Sequence, residues 1–240
     1  MMIIYLILVL TVIASGSLIF FFKSGDQRLM KFLLAFSGAF LIGITFLILI
    51  PEVYREATVF TGLFVLLGFV LQLFLELITE GAEHGHKHTH SDDERVSPFL
   101  LLIGLCIHAF LEGMPLVKNL GDGLTRSLVS GIVVHNIPIS LTLMGLFLHY
   151  GLSMRKAFVF LFVFAMMTPL GSVFSRILDS SLTVSVASYS NYILAVVVGI
   201  FLHVSTTILF ETEENHRYNM QKFVTILSGL AIAFAISFFE

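Results

Sequence analysis

Eight runs of apolar residues, 17 to 27 residues long, follow one another along the 240-residue chain. A helix needs about 20 predominantly apolar residues to cross the hydrocarbon core of a bilayer. Only 12% of the residues are charged, about half of what is typical of a soluble domain. The sequence therefore predicts an all-α membrane protein, a single domain over residues 1–240 with eight transmembrane helices. The predicted spans are Met1–Phe22, Phe32–Ile50, Val59–Ile78, Phe99–Val117, Leu124–Tyr150, Ala157–Ile177, Tyr192–Phe210 and Phe223–Phe239.

The distribution of Lys and Arg predicts how the chain is oriented. With the N-terminus outside, nine of the basic residues lie on the inner side of the membrane and four on the outer side. Because cytoplasmic loops carry the excess of Lys and Arg, both termini are expected outside, in a protein of the cell (inner or plasma) membrane. The long hydrophilic segment at residues 83–98 is then a cytoplasmic loop.

Four histidines alternate with other residues in this loop, at His84, His86, His88 and His90. Imidazole suits Zn, Ni, Cu and Fe as a ligand, and the polar, aperiodic segment is typical of a flexible loop. Two interpretations stay open: a linker that binds metal adventitiously, and a loop that binds or senses metal in the cytoplasm. In either case these residues lie outside the bilayer and do not form a transport site.

A weak internal symmetry relates the two halves of the chain. The second predicted helix ends in Ile50-Pro51-Glu52 and the seventh in Leu209-Phe210-Glu211, on opposite sides of the membrane. Helices 1–3 and 6–8 are therefore expected to be inverted repeats around helices 4 and 5, a common plan among membrane transporters. A chance similarity of two helix ends is the competing interpretation.

Helices 4 and 5 carry ionisable and amide side chains inside their apolar runs. His108 and Glu112 are four residues apart, so they share a face of helix 4, and helix 5 carries His135 and Asn136. A charged side chain at the bilayer centre costs about 3 kcal/mol on insertion scales, so such residues are candidates for a functional site. An imidazole and a carboxylate on one face can chelate one cation.

Proline follows these residues in both helices, at Pro115 and Pro138. Because proline has no N–H, the carbonyls of Leu111 and Val134 are expected to lose their helical donors. Broken backbone is tolerated within a membrane where it is buried in protein or lines a cavity. Two interrupted helices with His, Glu, His and Asn therefore predict an ion site near the bilayer midplane. The alternative is a His–Glu hydrogen bond that holds helices together, with ordinary proline kinks.

These residues resemble the motifs of the ZIP (Zrt/Irt-like) family of metal transporters, and the likeness extends over essentially the whole chain. The family's fourth helix carries His-Asn-x-x-(Asp/Glu)-Gly, and this chain has His108-Ala109-Phe110-Leu111-Glu112-Gly113. The fifth carries His-(Glu/Asn)-x-Pro-(His/Glu)-(Glu/Gly), and this chain has His135-Asn136-Ile137-Pro138-Ile139-Ser140. Further matches are the His-rich loop, Pro51-Glu52 and Thr168-Pro169-Leu170-Gly171.

The resemblance implies eight helices, both termini outside, the inverted repeats and a homodimer. It also implies import of Zn²⁺, Fe²⁺ or Mn²⁺ toward the cytoplasm, with sliding of one helix bundle against another as one mechanism. By position in the motifs, the role of metal ligand falls to His108, Glu112, His135 and Asn136.

Two positions depart from the family pattern. Ala109 stands where the family usually has an Asn ligand, and Ile139 stands where it has His or Glu. One metal is therefore expected instead of two. His203 and Thr207 share a face of helix 7 and are candidates for replacement ligands. A hydrogen bond from His203 to a neighbouring helix is the alternative.

Polar residues near the inner ends of helices 3 and 7 are further candidates. Gln72, Glu76 and Glu80 form a stripe at i, i+4 and i+8, which either lines an exit toward the His-rich loop or lies at the membrane interface. Glu211 follows helix 7 and is either part of a metal relay or solvated.

The sequence thus favours a transporter of divalent transition metals, in which the metal is the transported substrate, no cofactor is needed and no reaction is catalysed. Zinc is favoured, with iron, manganese and cadmium as alternatives, because imidazole-rich ligation suits Zn²⁺ better than Mg²⁺ or Ca²⁺. The expected partners are metal ions and bilayer lipid, and the net charge of −3 gives no indication of nucleic-acid binding.

Two other classes of protein stay open. One is a metal sensor that binds without transport. The other is a membrane-embedded zinc hydrolase, in which Glu112 is the general base and the zinc ligands are His108, His135 and His203.

Overall fold

The computed structural model describes residues 1–21, 27–55, 58–79, 98–117, 121–181, 187–211 and 220–238. Within these ranges the chain is helical and contains no strand, so the predicted all-α membrane fold is confirmed. The His-rich loop at 83–98, apart from Pro98, lies outside the described residues. The helices are α1 (Met2–Ser17), α2 (Gln27–Ile44, continued by the π-helical turn Thr45–Leu49 and by Ile50–Arg55), α3 (Val59–Thr79), α4 (Pro98–Gly113), α5 (Asp122–His149), α6 (Met154–Ser181), α7 (Ala187–Glu211) and α8 (Met220–Ser237).

Seven of these helices are long and apolar enough to cross a bilayer, and α4 is shorter. Its 16 residues rise about 24 Å, less than the roughly 30 Å of the hydrocarbon core. The helix ends at Gly113, although the apolar run that predicted it continues to Val117. The apolar run therefore predicts a helix here but does not fix where that helix stops.

The expectation of two interrupted helices is wrong for the first of them. Pro115 lies beyond the end of α4, and the Leu111 carbonyl that it was expected to free accepts a hydrogen bond from the Met114 N–H at 3.1 Å. Proline is common just after a helix end because it cannot continue the helix. Pro138, in contrast, lies inside α5, which continues on both sides of it.

The packing of the helices follows the predicted inverted repeat. The four most extensive helix contacts are α3 with α7, α2 with α8, α4 with α6 and α1 with α5. An inverted repeat exchanges helix 1 with 6, 2 with 7, 3 with 8, and 4 with 5. Under this exchange the α3–α7 contact becomes the α2–α8 contact, and the α4–α6 contact becomes the α1–α5 contact. Because successive spans alternate in direction, this exchange also inverts the repeat. The pairing agrees with two three-helix repeats around α4 and α5.

Glycines bring the backbones of two of these pairs into direct contact. A Cβ at Gly68 of α3 would overlap the backbone of Val196 in α7, and one at Gly199 of α7 would overlap the Val65 carbonyl in α3. The α4–α6 pair repeats the arrangement, since Gly113 lies on the backbone of α6 and a glycine of α6 lies on the backbone of α4. Small residues at helix contacts allow this approach in membranes, where packing drives helix association.

The buried apolar residues form two clusters. One joins α2, α7 and the first half of α5, with Phe40 and Phe201 among its fully buried members. The other joins α1, α4, α6 and the second half of α5, with Phe147 and Phe164 among its members. Large apolar side chains such as Phe74 of α3 are exposed on the outside of the bundle, where a bilayer would cover them.

We expect Gly68→Ala to lower the melting temperature of the purified protein, because the added methyl group meets the backbone of α7 and overpacking costs about 1–3 kcal/mol. Gly62→Ala is the matched control on the same helix, since its Cβ would have only the Tyr54 hydroxyl nearby, at 3.5 Å. Thermal unfolding monitored by size-exclusion chromatography in detergent measures both. Equal melting temperatures for the two variants would contradict the backbone contact.

Candidate metal centre

Two histidines and a glutamate meet inside the bundle. The ligand atoms of His108, Glu112 and His135 all lie within 4.8 Å of one another, and none of the three side chains is more than 1% exposed. The Nε2 atom of His108 lies 2.9 Å from Oε1 of Glu112. The His108 and His135 rings meet edge to face, with centroids 5.8 Å apart. The structure thus brings together three of the residues that the sequence singled out.

The helices explain why these side chains converge. His108 and Glu112 are one turn apart on the same face of α4, and α5 contributes His135 from the other side. The positions around them are apolar: Ala109 and Ile139 are both buried in the cluster formed by α1, α4, α5 and α6. The site is therefore a small polar group within an apolar bundle.

Three buried side-chain oxygens on these helices accept no hydrogen bond from any residue that the structure describes. They are Oε1 and Oε2 of Glu112 and Oδ1 of Asn136, on side chains that are 0% and 2% exposed. A buried acceptor without a donor costs about 1–3 kcal/mol, and more if it is charged. A cation would satisfy such oxygens. Two imidazoles and one carboxylate also match the ligand types that Zn²⁺ takes, with a position left open for a further ligand.

A glutamine of α3 forms part of this site, although the sequence indicated it only as a member of a polar stripe. The Gln72 side chain is fully buried, and its Oε1 atom lies 2.8 Å from Nδ1 of His108. The signal that pointed to it was its spacing of four residues from Glu76 in an otherwise apolar helix. Sequence alone did not indicate its partner on α4.

His203 lies with Glu76 instead of joining the two histidines of α4 and α5. Its Nε2 atom is 3.3 Å from Oε2 of Glu76, and the Phe69 ring meets its imidazole edge to face, with centroids 4.8 Å apart. Among the described residues, the close group of potential ligands contains only His108, Glu112 and His135. The expected hydrogen bond from His203 to a neighbouring helix therefore describes the structure better than a place in that group.

The remaining candidates are Thr207, Glu211 and the histidines of the His-rich loop. Thr207 is partly buried, one turn beyond His203 on α7. Glu211 is the last residue of α7, and its side chain lies outside the described part of the chain. The loop histidines His84, His86, His88 and His90 also lie outside it. Their predicted roles stay predictions.

Polar side chains continue from the centre along α3. Gln72 beside His108 is followed one turn later by Glu76 beside His203, toward the end of the helix at Thr79. Beyond the group in the opposite direction along the helices, most of the buried residues belong to one apolar cluster, with buried hydroxyl side chains among them. Its members include Leu49 of α2, Leu116 after α4, Leu128 of α5 and Val197 of α7.

A bundle of membrane-spanning helices with a buried His–Glu–His group between two central helices defines the class: a polytopic membrane protein with a potential cation site in its interior. The family model described as ZIP Zinc transporter matches residues 79–237. The chain belongs to this family, as its motifs predicted.

Two curated relatives have similar sequences. The protein is 26% identical over 170 residues to Protein zntD of Dictyostelium discoideum, covering 64% of this chain and 25% of the relative. It is also 26% identical over 171 residues to Zinc transporter ZIP10 of Homo sapiens, covering 64% of this chain and 20% of the relative. The match therefore spans about a quarter or less of the relatives' lengths.

We expect His135→Ala to weaken zinc binding by more than tenfold, because it removes one of the three potential ligands. Loss of an outer-shell partner of a metal ligand already costs about 10- to 100-fold. Isothermal titration calorimetry of the detergent-solubilised protein measures the affinity. His149→Ala is the matched control, because His149 lies on the same helix but is exposed at its end. Unchanged affinity for His135→Ala would remove this residue from the site.

Proposed function

We propose that the protein transports a divalent transition metal, Zn²⁺ before iron, manganese or cadmium, across the membrane toward the cytoplasm. The observation that carries the proposal is the group of His108, Glu112 and His135, whose ligand atoms lie within 4.8 Å of one another in the interior of the bundle. Family membership supports the same function. The ion would bind near the midplane between α4 and α5, with Asn136 as a further oxygen ligand.

The chemistry of the site supports zinc and a single ion. Two imidazoles with one carboxylate are ligands typical of zinc, whereas Mg²⁺ and Ca²⁺ require oxygen cages. Ala109 and Ile139 are buried beside the ligands and carry no donor atom, which leaves no ligand set for a second ion there. One carboxylate against a divalent ion leaves a net positive charge in a medium of low dielectric constant. This charge lowers the affinity and so favours release.

The polar side of the site supports passage toward the inner ends of α3 and α7. Glu76 and His203 would be the next ligands for an ion that leaves His108, and Thr207, Glu211 and the loop histidines would follow. The apolar residues on the opposite side would exclude water from that direction, so this arrangement represents a state closed to the outside. Direction toward the cytoplasm follows from the predicted orientation of the helices.

The geometry supports transport over hydrolysis. A zinc hydrolase needs three protein ligands, an open position and a separate general base. His203 lies with Glu76 instead of completing a set of three histidines. Glu112 lies 2.9 Å from Nε2 of His108, in the position of a ligand instead of a base one water molecule away. A metal sensor would have the same site but would not transport the ion. Measurement of zinc flux across the membrane distinguishes a sensor from a transporter.

We also propose that the protein is a homodimer in the cell membrane with both termini outside, as the likeness to its family implies. The exposed apolar faces of α1, α3 and α8 provide the surface that lipid or a second copy would cover. Single-molecule counting of labelled chains in native membranes tests the dimer, and a population of monomers alone would contradict it.

We expect Glu112→Gln to lower the initial rate of zinc uptake into proteoliposomes by about tenfold or more, because the neutral amide loses an attraction to the cation of at least about 1.4 kcal/mol. A zinc-sensitive dye inside the vesicles reports the uptake. Asp122→Asn is the matched control, since it also removes one carboxylate, from an exposed position at the start of α5.

Two outcomes of this experiment would contradict the proposal. Full uptake by Glu112→Gln would show that the ion does not pass this carboxylate. Zinc binding by the wild type without any uptake would favour a sensor.

In the same assay His203→Phe is expected to reduce the rate of zinc uptake and leave the zinc affinity of the first site unchanged, because His203 lies beyond that site on the proposed path.

A further inference from the structure

One side of the His108 ring is held by a residue that lies outside the motifs of helices 4 and 5. Gln72 is fully buried in α3, and its carbonyl oxygen Oε1 lies 2.8 Å from Nδ1 of His108 in α4. An amide oxygen can only accept a hydrogen bond, so the Nδ1 atom must carry the proton in this contact. The contact therefore excludes the neutral tautomer whose only proton is on Nε2.

The proton on Nδ1 determines which nitrogen of His108 is available to a metal. Imidazole binds a metal through an unprotonated nitrogen, and the hydrogen bond of the other nitrogen decides which one this is. In His108 the available atom is Nε2, which lies 2.9 Å from Oε1 of Glu112. Nε2 is therefore the nitrogen directed into the group of ligands, and Gln72 holds the ring with that nitrogen facing the carboxylate.

The position of Gln72 is itself fixed by the packing of α3. Gly68, one turn before it, lies against the backbone of α7, and Glu76, one turn after it, contacts His203 of α7. The amide therefore extends from a helix that is anchored on both sides of it. A side chain anchored in this way can orient a neighbouring ring, because its own position varies little.

We propose that Gln72 is a positioning residue that fixes the tautomer and orientation of His108, and that its neutral amide sets how tightly the site holds zinc. This proposal rests on the proposed function, which identifies zinc as the transported ion. A carboxylate in this position would make a metal-bound imidazole more basic and strengthen its bond to the ion. The amide provides the orientation without that added strength, which suits a site that must release what it binds.

Three variants separate this role from a structural one. Gln72→Leu introduces an apolar side chain of similar size and removes the hydrogen-bond acceptor. We expect zinc affinity to fall about 10- to 100-fold in this variant. Gln72→Glu keeps an acceptor and adds charge, and we expect tighter binding with a lower maximal rate of uptake. Gln221→Leu is the matched control, because Gln221 also accepts a hydrogen bond, from Arg28, but at an exposed site.

The tautomer is measured directly in zinc-loaded protein labelled with ¹⁵N-histidine, with the His108 signals assigned by their absence in His108→Ala. We expect a protonated Nδ1 and a zinc-bound Nε2 in the wild type and in Gln72→Glu. Zinc on Nδ1 of His108 in the wild type would overturn the proposal, and this measurement does not depend on whether Gln72→Leu folds. Wild-type affinity in Gln72→Leu would overturn it as well.

The proposed function and the role of Gln72 fail in different ways. A wild-type protein that binds zinc with the expected tautomer but does not transport it refutes transport and leaves the positioning role intact. A protein that transports zinc at the same rate and affinity with Leu, Glu or Gln at position 72 refutes the positioning role and leaves transport intact.

Discussion

The cost of placing a carboxylate among hydrocarbon determines how the centre of this protein is built. Glu112 is fully buried in a bundle whose outer surface is apolar, and transfer of an isolated carboxylate into such a medium costs several kcal/mol even after relaxation. His108 lies 2.9 Å away and His135 is in the same group, so the charge has two imidazoles beside it. Neither oxygen of Glu112 accepts a hydrogen bond from the described residues. A bound cation would remove that deficit.

The symmetry of the bundle explains why this group forms between α4 and α5. These two helices exchange under the relation that also exchanges the outer repeats, and each of them packs against the first helix of the opposite or following repeat, α1 against α5 and α6 against α4. A site between α4 and α5 is therefore in contact with both repeats through these helices. The ligands themselves do not follow the symmetry: α4 contributes a histidine and a glutamate, whereas α5 contributes one histidine. The helix packing is thus symmetric and the chemistry is not.

Sequence reasoning reached the membrane fold, the order of the helices and the three residues of the buried His–Glu–His group, because each depends on composition or on spacing within one helix. The apolar runs locate spans, and the separation of four residues places His108 and Glu112 on one face. The end of α4 escaped prediction, because the turn after Gly113 depends on local hydrogen bonds inside an apolar run that continues unchanged. The partners of Gln72 and His203 escaped it as well, since each lies on a helix distant in sequence and spacing within a helix does not encode such contacts.

The glycines that bring the backbones of the α3–α7 and α4–α6 pairs together affect how these helices can move. Backbones that touch through Gly68 and Gly199 leave no layer of side chains that could deform, and the contact of α4 with α6 through Gly113 is built in the same way. Backbone contacts of this kind oppose sliding within each pair. The hydrogen bond from His108 to Gln72 joins the α4–α6 pair to the α3–α7 pair. A shift of one pair along the other would strain this bond, so the orientation of the His108 ring is tied to the relative position of the two pairs.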